Sequence, residues 1–132
     1  MFTRADAAEI RRGLGGLDLT SSNAEPLSSV FDAYFKFYKF APSVIGAQSR
    51  QTAGIIHAAG FDVLTQYFKP TEKNSRGTVV LLHGYFDHAG IYQHVIKHCL
   101  DKGLGVVIFD MPGHGLSSGE VASIESFDVY CK

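Results

Sequence analysis

The stretch Gly115-Leu116-Ser117-Ser118-Gly119 fits the letters Gly-x-Ser-x-Gly that surround a nucleophilic serine, and His83, His114 and Asp110 are the side-chain types of a proton relay. A serine of this kind attacks when a strand on one side and a helix immediately on the other strain it and expose its Oγ. Neither condition is met. The apolar run that ends at Phe109 stops well short of Gly115, and Gly119-Glu120-Val121 is loop-like. Ser117 and Ser118 therefore read as false nucleophiles. His94 and His98 share a helix face at i and i+4, but no zincin-type glutamate and no third ligand accompanies them, so they read as a solvated face with no metal. Gly13-Leu14-Gly15-Gly16 has the glycines of a phosphate-binding turn, yet no strand precedes it and no helix pattern follows, so it is read as structural.

The elements around these residues are legible from periodicity. A short helix is expected from Thr3 to Arg12, followed by a loop-rich lead-in that carries no chemistry of its own. Ser29 with Asp32 resembles a capping box, and Val30, Phe31, Tyr34, Phe35 and Tyr38 recur at helical spacing, giving an aromatic helix that ends near Pro42. Its stripe, flanked by Lys36 and Lys39, is expected to dock on the protein's own body rather than dip into a membrane interface. Ala53–Ile56 and Phe61–Phe68, separated by Ala-Ala-Gly, predict an antiparallel pair. Thr78–Leu82 and Gly105–Phe109 are continuous apolar runs of the kind buried on both faces. Between them, Ile91, Val95, Ile96, Cys99 and Leu100 predict a helix from His88 to Lys102 stopped by Gly103. Strand, helix and strand in that order make a right-handed βαβ unit with parallel strands. A last helix is expected to begin near Ser123.

Composition narrows the partners. Apolar residues are 45% and charged residues 19% of the 132, enough for a packed core, and the formal charge of −1 leaves no basic footprint for nucleic acid. Cys99 and Cys131 have no metal-ligand spacing and read as free thiols. No run of about 18 apolar residues and no apolar leader follows Met1, so no transmembrane segment is expected and the location is read as cytoplasmic.

Two motifs carry a family resemblance. Val80-Leu81-Leu82-His83-Gly84-Tyr85 after one buried strand, and Phe109-Asp110-Met111-Pro112-Gly113-His114-Gly115-Leu116-Ser117-Ser118-Gly119 after the next, resemble the paired signatures of α/β-hydrolases, in particular the monoglyceride-lipase and lysophospholipase, or serine-aminopeptidase-type, branch. Ser123-Ile124-Glu125-Ser126-Phe127 is similar to the start of that family's next helix. The resemblance covers about residues 53–132, leaving 1–52 as an N-terminal extension with the aromatic helix.

The resemblance implies an α/β fold: an antiparallel strand pair, then the βαβ unit of a mostly parallel sheet, preceded by the helical extension. It implies a serine hydrolase that uses a Ser, Asp, His triad and no cofactor on carboxylic esters such as lysophospholipids or monoacylglycerols, with peptides as another substrate class on the same fold. The backbone N–H of Tyr85 would form half of the oxyanion hole. His83, Gly84, Asp110, Gly113, His114 and Gly115 would shape the two loops. The triad histidine comes last in the family's order, so His83 and His114 stand too early. The nucleophile is expected beyond Lys132, which makes the chain as given an inactive N-terminal fragment whose open sheet edge could self-associate. The alternative readings are a non-catalytic interaction module working by β-augmentation and a nonfunctional truncated product.

Overall fold

The computed structural model describes residues 3–20, 29–40, 49–71 and 75–132. Its centre is a four-stranded sheet of β1 (Ser49–Ala58), β2 (Phe61–Pro70), β3 (Thr78–Leu81) and β4 (Gly105–Phe109), in the order β1-β2-β4-β3. β1 and β2 are antiparallel, β2 and β4 are antiparallel, and β3 and β4 are parallel. The β1–β2 hairpin turns on Ala59 (φ 50°) and Gly60 (φ 82°), two left-handed residues in succession, the conformation whose twist matches that of the paired strands. β1 starts at Ser49, earlier than the apolar run beginning at Ala53, because the register with β2 continues through polar residues to Ser49 opposite Pro70.

The first helix, α1 (Arg4–Gly13), begins with a complete capping box. The Thr3 hydroxyl accepts from the Asp6 N–H at 3.3 Å while the Asp6 carboxylate accepts from the Thr3 N–H at 2.7 Å. After it the chain runs beside β1. The Ile55 N–H donates to Gly15 O at 2.9 Å and the Leu17 N–H donates to Ile55 O at 3.2 Å. The glycines read as structural thus lie against a strand, and a side chain on Gly54 would strike Leu17.

The aromatic helix, α2 (Ser29–Phe37), docks on the body of the protein. Phe31, Tyr34 and Phe35 are buried, and Phe40 stacks on Phe68 of β2 with ring centroids 6.1 Å apart. Each such ring removed from water contributes about 2 kcal/mol before entropy is subtracted. The expected Ser29 side-chain cap and the end at Pro42 lie outside what is described.

The helix expected over 88–102 divides into a 3-10 turn, Ala89–Ile91, and α3 (Gln93–Asp101). Side chains satisfy the first free N–H groups of the turn, His88 for Gly90 and Asp110 for Ala89, and the helix proper starts only after Tyr92. Gly103 (φ 73°) ends α3 as expected. Its N–H donates to Leu100 O and that of Leu104 to Cys99 O, the paired bonds of a Schellman cap. Near the C-terminal end, Phe127–Cys131 form a 3-10 helix instead of the start of an α-helix at Ser123.

One expectation is corrected. β3 is buried on one face, not two: Val79 and Leu81 join the core with Ile96, Leu100, Val106 and Ile108, whereas Val80 is 61% and Leu82 64% exposed. Apolar composition shows that a strand belongs in a sheet interior. It does not show whether a second layer of this chain covers the far face, and among the described residues none covers Val80 and Leu82.

Candidate active site

The loops that leave the C-terminal ends of β3 and β4 lie side by side, the position where α/β sheets carry their chemistry. Asp110, directly after β4, is 0% exposed. Its Oδ1 accepts from the Ala89 N–H at 2.6 Å and its Oδ2 from the Leu116 N–H at 2.8 Å. Burial pushes its pKa up, opposed first by these two N–H donations and then by the imidazoles of His88 and His83. Gly115 (φ 48°) passes so close that a side chain there would collide with the Asp110 carboxylate. Asp110 therefore organises its own turn and the start of the helical segment after β3.

Ser117 and Ser118 are tied to β2. The Ser117 hydroxyl donates to Asp110 O at 2.5 Å and accepts from the Leu64 N–H at 2.9 Å. The Ser118 hydroxyl accepts from the Asp62 N–H at 2.8 Å, and the Ser118 N–H donates to Asp62 O at 3.0 Å. The two serines extend the pairing of β2 beyond the end of β4, and Ser117 is buried.

Two imidazoles join the loops. His83 Nε2 accepts from the Met111 N–H at 2.8 Å, which puts its proton on Nδ1, where it donates to Gly84 O at 2.8 Å. His114 Nδ1 lies 2.9 Å from Pro112 O and donates to it, leaving Nε2 to accept a long bond of 3.4 Å from the Phe86 N–H. The rings stand 5.3 Å apart and both are buried.

The Gly84–Asp87 turn is closed by the Asp87 N–H donating to Gly84 O at 3.0 Å. Phe86, its third residue, is held at φ 67° and is 78% exposed; a positive φ at the third residue after a negative one at the second is the sign pattern of a type II turn, which favours glycine there. Tyr85 bonds Ala122 O through its hydroxyl, and its ring lies 5.3 Å from that of His114. Among the described residues the Tyr85 N–H has no hydrogen-bond partner.

The residues singled out from the sequence, His83, Gly84, Tyr85, Asp110, Gly113, His114 and Gly115, thus occupy two adjoining loops. His94 and His98 are exposed on α3, away from them. Sequence reasoning missed His88 and Arg11. His88 caps the 3-10 turn and packs on Tyr38 at 4.6 Å, and its place just ahead of a helix start was a usable signal. Arg11 donates to Leu116 O at 2.6 Å across a separation of 105 residues, for which no local pattern exists.

Residues 73–132 match the family model described as Hydrolase_4, serine aminopeptidase, S33. The chain is 47% identical over 49 residues to a monoacylglycerol lipase of Mycolicibacterium smegmatis, covering 37% of this chain and 18% of that protein. It is 28% identical over 78 residues to the monoglyceride lipase of Homo sapiens, covering 59% of this chain and 25% of that protein. A cold-adapted esterase from an Arctic intertidal metagenomic library superposes with a TM-score of 0.45 and 30% identity, covering 52% of this chain and 30% of that chain. The sheet order and the family match define an incomplete α/β-hydrolase fold. Over the matched stretches the chain is similar to these monoglyceride lipases, and it spans a quarter or less of their length.

Proposed function

We propose that this chain supplies half of the oxyanion hole of a serine hydrolase acting on monoacylglycerol-like or lysophospholipid-like carboxylic esters. The observation that carries the reading is the free N–H of Tyr85, in a loop whose neighbouring polar groups are engaged. In acyl transfer the ester carbonyl oxygen becomes negative as the nucleophile adds, and each fixed N–H aimed at it contributes about 3 kcal/mol. His83 and His114 would hold that loop at a fixed distance from the Asp110 turn. The nucleophile, the triad acid and the triad histidine would come from residues other than these 132, so the chain alone would be inactive. The doubly engaged hydroxyl of Ser117 and the short span against the lipases support this. No cofactor is required by that chemistry, and the free thiols Cys99 and Cys131 favour a cytoplasmic setting. No helix among the described residues is long and apolar enough to cross a membrane.

Fluorophosphonate labelling of the 132-residue chain, with hydrolysis of a short-chain ester, tests the division of labour. No labelling is expected; labelling abolished by Ser117→Ala or Ser118→Ala would sink the proposal. The oxyanion role is tested in a longer form that is active. Tyr85→Pro removes the N–H at a turn position that accepts proline, and kcat should fall by about 100-fold or more. The outward-facing Val80 on β3 and Leu82 just after it favour a second reading, in which the sheet edge pairs with another copy or an extended peptide. Sedimentation over a concentration series would separate a monomer from a self-pairing chain.

A further inference from the structure

Away from the Tyr85 turn, α1 lays two arginines across the outer side of the loop after β4. Arg11 donates through Nη1 to Leu116 O at 2.6 Å and to Ser117 O at 3.3 Å, and Arg4 donates through Nη2 to Gly119 O at 3.2 Å. Both side chains line one cleft of about 440 Å³ whose opposite wall is Gly113, Gly115, Ser117 and Gly119. A guanidinium carries five N–H donors in a planar fork, so these bonds leave most of each fork uncommitted. The two ion pairs among the described residues are His57 with Asp62 and Lys97 with Asp101, and neither uses Arg4 or Arg11. The pKa of Arg11 is lowered first by burial, Asp62 pulls the other way, and the positive charge of Arg4 adds to the lowering. Two like charges are thus held in one cleft by hydrogen bonds to backbone carbonyls, and the negative charge that bears on Arg11 is that of Asp62.

We infer that the cleft between Arg4, Arg11 and the Gly113–Gly119 turn binds a phosphate monoester, whose oxyanion is shared by the two guanidiniums. A doubly charged tetrahedral group suits paired forks better than a single carboxylate does, and the bonds it would take are charge-assisted. The cleft has room for organic substituents beyond the phosphate. Its occupant would also fasten α1 to the turn that Asp110 holds from the other side, so binding should stabilise the fold. The inference does not depend on the ester-hydrolase reading.

Thermal melts of the 132-residue chain with inorganic phosphate and with glycerol phosphate, against chloride at equal ionic strength, give the first arm. Co-sedimentation with phosphatidylcholine vesicles, with or without phosphatidic acid, gives the second and separates a free phosphate ester from a lipid headgroup. A saturable rise in Tm, or sedimentation that requires phosphatidic acid, supports the site if Arg4→Gln weakens it about tenfold while Arg12→Gln changes it less than twofold. Arg12 is on the same helix but does not line the cleft. Arg4→Lys, which keeps the charge and loses the fork, should fall between wild type and Arg4→Gln. No response in either arm, or equal loss in Arg4→Gln and Arg12→Gln, would overturn the inference.

Discussion

The loops after β3 and β4 have similar sequence ingredients, a histidine, glycines and an acid, and opposite construction. In the loop after β4 the acid is sealed from water, both its oxygens accept backbone N–H groups, and two serine hydroxyls knit the turn to β2. The loop after β3 is exposed at its tip, holds Phe86 in a left-handed conformation and leaves one N–H unpaired. The rigid loop serves as a frame and the strained one faces outward. Strain and an unmet hydrogen bond persist where the surroundings over-determine the backbone, and here two buried imidazoles provide that support.

The contrast fails first if the frame turns out to be soft. Asp110→Ala removes the acceptors of the buried Ala89 and Leu116 N–H groups and should cost about 3 kcal/mol or more, read as a lower urea midpoint. A loss under about 1 kcal/mol would mean that water or a shifted backbone replaces the carboxylate easily. Phe86→Gly probes the other loop. Relief of the left-handed strain should outweigh the added freedom of the unfolded chain and stabilise by about 0.5–1 kcal/mol, since little packing is lost from an exposed ring. A clear destabilisation would show that the turn is not strained.

The smallest effect lies where the loops meet. The pKa of His88 is lowered first by burial, partly opposed by Asp110, with His83 and His114 adding to the lowering and Asp87 opposing it. The folded protein therefore resists protonating it. Its contribution is complete above the ordinary histidine pKa near 6.5 and is lost as pH falls from there towards the lower folded value. Between pH 7.5 and 5, Tm should drop less in His88→Asn, which keeps a capping oxygen for Gly90 without a titrating ring, than in the wild type. Parallel curves for the two proteins would assign the acid sensitivity elsewhere.

Much of the frame was readable from residues alone, because its signals are local. The Ala-Ala-Gly hairpin turn, the short helix from Thr3, the Gly103 stop and the aromatic stripe each depend on neighbours within a few positions. The two glycine-bearing loops were recognisable as motifs, and their spacing around one helix placed them at adjacent strand ends. What escaped depended on distance. Whether a second layer covers β3, and that Arg11 reaches Leu116, are set by parts of the chain far apart in sequence. The divided helix at Ala89–Ile91 depends on Asp110, which lies beyond the next strand. Ser117 matched a catalytic pattern by its letters, and only the missing strand-to-helix turn argued against it.

The order β1-β2-β4-β3 also sets a sequence of events in time. The last of these four strands to leave the ribosome takes an inner place, between β2 and β3. Until Phe109 has emerged, the β1–β2 hairpin and β3 have no surface through which to recognise each other. The hairpin can zip early, whereas the parallel contact needs a loop closed around α3, and contacts of that separation form slowly. Newly made chains would thus pass through a stage in which the hairpin is complete and the β3 segment still searches for its neighbour, and β4 arrives as the latch that commits both.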